Sequence, residues 1–175
     1  MEDYRVYLKH VAFWGSEFSN FHKCSFVYKG LTWKSSEQAY MAEKAIYFGD
    51  YESFLHIWNS ATPKEAKAYG REVKNFDADE WLDVSRDFMY DIVYEKFKQN
   101  KYLKDMLLRP DLADKHFVEG SPVDGIWGVK VVWDDPRIDD ERNWNGMNLL
   151  GKVLDDVREQ LAAEEHGSGT LLNDD

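Results

Sequence analysis

The chain has 175 residues, 43% of them hydrophobic and 15% aromatic, including seven Trp, ten Tyr and ten Phe. That is enough apolar material for one domain with a sizeable core, and too much for a disordered chain. A formal net charge of −11 argues against tight, sequence-independent binding to duplex nucleic acid, which rests on many phosphate neutralisations; it leaves open a small phosphorylated ligand held by a few local cations.

The charged N-terminus MEDYRVYLKH lacks the apolar run of a signal peptide. No segment approaches the roughly 20 apolar residues of a bilayer span. Cys24 is the single cysteine, so an intramolecular disulfide is impossible, and its simplest reading is a small buried hydrophobe. Together these features read as a cytoplasmic chain. There is no internal repeat.

Residues 4–14 and 25–33 alternate apolar and polar side chains with β-branched and aromatic members, which predicts two strands, the second turning at Lys29-Gly30. Between them GSEFSNF (15–21) is a loop bearing two rings and an asparagine. Ser35 or Ser36 caps a helix ending near Gly49. Within it Glu37 and Lys44 are seven residues apart, so they return to within about 20° of each other, roughly 10 Å apart along the axis. Tyr40 and Met41 lie between them, making a polar–aromatic strip suited to a pocket wall with an acid at one end and a cation at the other.

In TPKEAKAYG (62–70), Thr62 is placed to cap, Pro63 to open the helix and Glu65 to close a capping box, with Gly70 at the end. Apolar residues at Trp81, Val84, Phe88, Ile92 and Phe97 predict a long helix over 80–98, followed by a shorter one over 100–108 that Arg109-Pro110 closes. Residues 115–147 are rich in Gly, Pro, Asp and Trp, with short strands expected near Phe117 and at Val129–Trp133; a loop region this long is usually functional. A last helix begins around Asn148, with Leu150, Leu154, Val157 and Leu161 as its apolar stripe. The expected fold is α+β, predominantly helical, with one domain over 1–162 and a polar, disordered tail over 163–175.

Each candidate has a plain reading beside the functional one. Glu37 either complements the helix dipole or, if buried, exchanges protons near neutrality. Lys44 is either a surface cation or a phosphate contact or nucleophile. Trp127 is a stacking platform or a loop plug, beside Asp124 in SPVDGIWG. Asp135 and Arg137 in DDPR read as a turn with a surface pair. Asn148 reads as a helix cap, although WNGMNLLG also exposes the N–H groups of a helix start. The five histidines show no metal spacing, and there is no Walker loop, GxGxxG or GxSxG. A metal-free, cofactor-free, nucleotide-like pocket remains.

Taken together, EFSNF (17–21), SSEQAYMAEKA (35–45) with FGD (48–50), ATPKEAKAYGREVKNFD (61–77), KFKQN (96–100), SPVDGIWG (121–128), DDPR (134–137) and WNGMNLLGKVLDDVREQL (144–161) resemble the NADAR family of YbiA-like N-glycosidases. The resemblance implies a mostly helical α+β domain that cleaves the bond between ribose and a nitrogenous base. It implies as substrate a phosphoribosylamino-pyrimidine of the riboflavin pathway, or ADP-ribosylated guanine. Carried onto this chain, the family's motif residues fall on Glu37, Lys44, Asp124, Trp127 and Asn148. The catalytic candidates are then Glu37, Lys44 and Asp124, and the substrate-binding candidates are Asn20, Phe21, Tyr40, Trp127, Gly128, Lys130, Asp135, Arg137 and Asn148. Lys130 departs from the family pattern, where many members have a glycine, and it bears on substrate identity. In the expected chemistry the Glu37 carboxylate stabilises oxocarbenium character at C1′ and orients water; in a variant, Lys44 forms an imine with an opened ribose. The rivals are a module that binds ADP-ribose without cleaving it, and an interaction protein whose pocket is vestigial.

Overall fold

The computed structural model describes residues 3–171. The stretch 4–14 is two strands rather than one. The chain turns between β1 (Tyr4–Val6) and β2 (His10–Phe13), where the Tyr7 N–H donates to His10 O at 2.8 Å. β1 pairs antiparallel with β2, and β2 pairs in parallel with β5 (His116–Glu119), giving the order β1-β2-β5. All four residues of β2 are buried, as befits the central strand. The second stretch is the expected hairpin, β3 (Phe26–Tyr28) with β4 (Leu31–Trp33). Lys29 and Gly30 both take positive φ (49° and 78°), the backbone that a two-residue hairpin turn needs.

Most of the helical mass lies between the paired β2 and β5. α1 (Ser36–Tyr47) starts where Ser35 accepts from the Gln38 N–H. Ala39, Ala42 and Ala45 are fully or almost fully buried, and these small side chains let α1 pack against α2, α3 and α4 together. α2 (Tyr51–Trp58), capped by Asp50, was not legible as a separate element. α3 (Pro63–Gly70) has the expected Thr62 cap, but the Glu65 carboxylate reaches back to the Ala61 N–H, one residue earlier than a capping box requires. α4 (Ala78–Gln99) and α5 (Lys101–Leu107) follow as expected.

Residues 129–133 form no strand. Val129 instead donates to Glu119 O and accepts from the Asn145 N–H, and Lys130 has φ 57°, so the segment ties the end of β5 to the loop at Asn145. Short 3-10 turns occupy Pro136–Asp139 and Glu141–Asn143. α6 (Leu149–Leu171) buries Leu150, Val153, Leu154, Val157 and Leu161. It continues through residues 163–171, where the composition had suggested a disordered tail; residues 172–175 lie outside the described part. Among the described residues no helix is long and apolar enough to cross a membrane.

Candidate active site

α1 brings together the strip read from its sequence. Glu37, Tyr40, Met41 and Lys44 all line one cavity of about 490 Å³. The opposite walls come from Trp14, Ser19, Asn20 and Phe21, from Lys67 of α3, from Trp81 and Met89 of α4, and from Glu119, Ser121, Val123, Asp124 and Trp127. A wider cavity of about 730 Å³ lies by the hairpin turn, α4 and α6, and none of the expected site residues lines it. It is larger and has charged groups and tyrosines of its own, but the first is the one that gathers Asn20, Phe21, Glu37, Tyr40, Lys44, Asp124 and Trp127 around one space, with a mostly apolar, aromatic wall and a few convergent polar groups.

The loop 16–21 is fixed to the start of α1 from two sides. The Ser36 hydroxyl donates to Asn20 Oδ1 (2.9 Å) and the Glu37 N–H to Asn20 O (3.0 Å). From α4, the fully buried Lys96 donates to Glu17 O (2.8 Å) and Ser19 O (2.9 Å). Burial pushes this amine down to about 8. Lys96 thus serves the loop rather than the cavity.

Glu37 is 6% exposed. Its carboxyl is pushed up to about 7, mainly by desolvation; Asp124 adds to the shift, while Lys67, Lys44 and Arg71 oppose it. The group therefore exchanges protons near neutral pH. The Lys44 amine, half-buried, donates to Gly70 O (2.8 Å) and sits 4.2 Å from the centre of the Phe76 ring. Burial holds it below its ordinary value against the pull of Glu37. Tyr40 is buried, and its hydroxyl accepts from the Trp81 indole at 2.8 Å. Its ring meets Trp127 edge-on at 5.3 Å. Asp124 spends Oδ1 on the N–H groups of Ile126 and Trp127, both at 2.9 Å, so this acid holds the tryptophan's loop while it lines the cavity.

Five of the expected binding residues stand elsewhere. Asp135 and Arg137 pair with each other at 2.7 Å and the arginine is exposed; together they make the turn and surface pair that their spacing allowed. Lys130 is exposed, its stem lying over Gly125. Gly128 is buried behind the wall, its carbonyl accepting from the Asn148 N–H at 3.2 Å. Asn148 has φ 53°, and its side chain does not cap the last helix. Instead Nδ2 donates to Phe117 O and Oδ1 accepts from the Glu119 N–H, both at 3.0 Å, so it clamps the end of β5.

Two charged wall residues were missed from sequence. Lys67 shares a face of α3 with Gly70, three residues on, a spacing that was readable. Glu119 alternates with the expected strand position Phe117, so both fall on one side of β5. Its carboxyl is pushed up to about 8, first by burial, then by Asp124 and Glu37, with Lys67 opposing.

The chain is thus a helix-rich α+β domain with an aromatic-walled pocket that holds three acids and two amines. The NADAR domain model matches residues 8–162, and the chain belongs to that family. It is similar to the protein irg-1 of Caenorhabditis elegans, 39% identical over 135 residues, 76% of this chain and 63% of that one. It is 39% identical over 126 residues to N-glycosidase R617 of Acanthamoeba polyphaga mimivirus, covering 72% of this chain and 73% of that protein. To the riboflavin biosynthesis protein VVA0006 of Vibrio vulnificus the identity is 32% over 154 residues, 88% of this chain but 37% of the relative. The chain thus spans less than two thirds of the nematode and Vibrio proteins. The solved NMR structure of Escherichia coli YbiA, a protein named as an N-glycosidase, matches with TM-score 0.72 at 27% identity, covering 93% of this chain and 90% of that one.

Proposed function

We propose that this chain hydrolyses the bond between ribose C1′ and the nitrogen of a phosphoribosylamino-pyrimidine, an intermediate of the riboflavin pathway. The protein is an N-glycosidase. The observation that carries the reading is Glu37, a buried carboxyl poised near neutrality in an aromatic-walled cavity with two amines. As a carboxylate it stabilises positive charge developing at C1′ and orients the attacking water. Trp127 and Tyr40 offer ring surface to the base, and Lys44 and Lys67 offer positive charge to the phosphate.

Two observations favour the small substrate over ADP-ribosylated guanine carried in nucleic acid: the acidic chain, and the riboflavin name of the Vibrio relative. On this reading the chain acts in the cytoplasm, where such a free phosphorylated intermediate would be met. Lys44 is already tethered to Gly70 O over the Phe76 ring, which suits a fixed cation better than a nucleophile; absence of a Lys44 adduct on borohydride treatment during turnover is the expected result.

The deciding experiment measures base release by wild type and Glu37→Gln from a phosphoribosylamino-pyrimidine, an ADP-ribosylated guanosine and free ADP-ribose. The variant folds and loses at least about a hundredfold in turnover on the pyrimidine substrate. Near-normal turnover in Glu37→Gln refutes its role. Tight binding with no release from any of the three replaces the enzyme with a ligand-binding module.

A further inference from the structure

Glu119 ends β5 with its backbone fixed on both sides: its N–H donates to Asn148 Oδ1 at 3.0 Å and its carbonyl accepts from the Val129 N–H at 3.1 Å. The side chain forms part of the cavity wall, and its Oε2 is buried with no hydrogen-bond partner. Buried polar atoms are almost always satisfied, so an unpartnered oxygen on a side chain that lines a cavity points to a ligand that completes it. The charged groups around it are Glu37 from α1, Asp124 from the following loop and Lys67 from α3. Two of the three are acids, a setting in which a carboxyl keeps its proton.

Resting on the N-glycosidase reading above, we propose that Glu119 is a second catalytic carboxyl, the acid that protonates the departing base nitrogen while Glu37 acts as the carboxylate toward C1′ and water. An amine-type base leaves poorly as an anion, so the reaction needs a proton donor as well as charge stabilisation. The C1′–N bond breaks with its electron pair remaining on nitrogen, and that nitrogen takes the Glu119 proton. Water oxygen bonds to C1′ and loses one proton to Glu37. Glu37 then returns a proton to Glu119 through solvent, so one water is consumed and both carboxyls are restored. The surroundings support this division: burial raises both carboxyls, but the lysines Lys67 and Lys44 favour the charge on Glu37, whereas Asp124 and Glu37 itself disfavour it on Glu119.

Two substrates separate the roles in the intact protein: the phosphoribosylamino-pyrimidine, and a ribosyl pyridinium whose nitrogen leaves as neutral pyridine without a proton. Glu119→Gln is expected to lose about a hundredfold in kcat on the first and less than about tenfold on the second, and to lose the alkaline limb of the kcat–pH profile. Glu37→Gln is expected to lose activity on both. Equal losses of Glu119→Gln on the two substrates, or no loss, overturn the proposal. A wild type that releases no base from either substrate removes the N-glycosidase reading itself, and the proposal with it. Should Glu119→Gln misfold, carbon-13 NMR of the wild-type carboxyls decides: Glu119 is expected to be protonated at pH 7, and an ionised Glu119 there overturns the assignment.

Discussion

At the scale of single residues, the groups proposed for chemistry oppose the stability of the fold. The Glu37 carboxyl sits at about 7 against an ordinary 4.5, chiefly because burial disfavours its charge. Between those values the folded chain keeps a proton that the unfolded chain has released, so stability falls as pH rises through that window. The full shift is worth about 3 kcal/mol. Glu37→Gln cannot titrate, so its stability relative to wild type should improve by up to that amount between pH 4 and pH 8 in urea titrations. An unchanged difference would mean that Glu37 is solvated and poorly suited to its role. A substitution that stabilises the fold and abolishes turnover is the expected trade at a functional position. For Trp127, loss of the ring in Trp127→Ala should weaken ligand binding by about 1–3 kcal/mol if a base stacks on it; unchanged calorimetric affinity would return the ring to a packing role. Helix periodicity made Glu37 and Lys44 readable as neighbours across seven residues. No such regularity governs Asn148, whose positive φ turns its side chain back onto β5.

At the scale of elements, the legible parts were those whose signals are local. Ser35 and Thr62 cap the helices they were expected to cap, and Lys29-Gly30 turns the hairpin as expected. The segment 129–133 had the composition of a strand, but it meets only the last residue of β5 and single loop residues rather than pairing along a neighbouring strand, and sequence alternation cannot show that. The approach of α3 to α1 was equally hidden. A Cβ on Gly70 would fall 2.0 Å from Met41 Sδ and 2.8 Å from its Cγ, so the glycine sets how closely the two helices meet. Gly70→Ala therefore sets two effects against each other: better helix propensity, worth about 1 kcal/mol, and overpacking, which costs about 1–3 kcal/mol. Overpacking should win, because Met41 is itself packed in the cavity wall. The variant is expected to unfold at lower urea and to show a raised KM, since Lys44 reaches the cavity from its bond to Gly70 O. A stabilised variant with unchanged KM would show that Met41 moves aside freely.

At the scale of the whole molecule, the site draws on residues from Trp14 to Trp127, and the parallel pairing of β2 with β5 joins the two ends of that span. The family resemblance covered the same span, so membership was readable from motif order, whereas Glu119 and Lys67 entered the site only once the chain was folded. Net charge is the property at this scale that bears on substrate choice. With 33 acidic against 22 basic residues, the protein and a nucleic acid repel each other over a Debye length, about 30 Å at 0.01 M salt and about 10 Å at 0.1 M. If ADP-ribosylated guanine is cleaved at all, its kcat/KM within an oligonucleotide should rise severalfold between those salt concentrations, because screening removes a barrier to encounter. A small phosphorylated pyrimidine carries far less charge and meets a cavity with two local lysines, so its kcat/KM should change little or fall slightly. Steady-state rates on both substrates across that salt range make the comparison. An oligonucleotide rate that falls steeply with salt would instead reveal a basic track for nucleic acid on this acidic protein, and would move the preferred substrate from the free nucleotide to the modified strand.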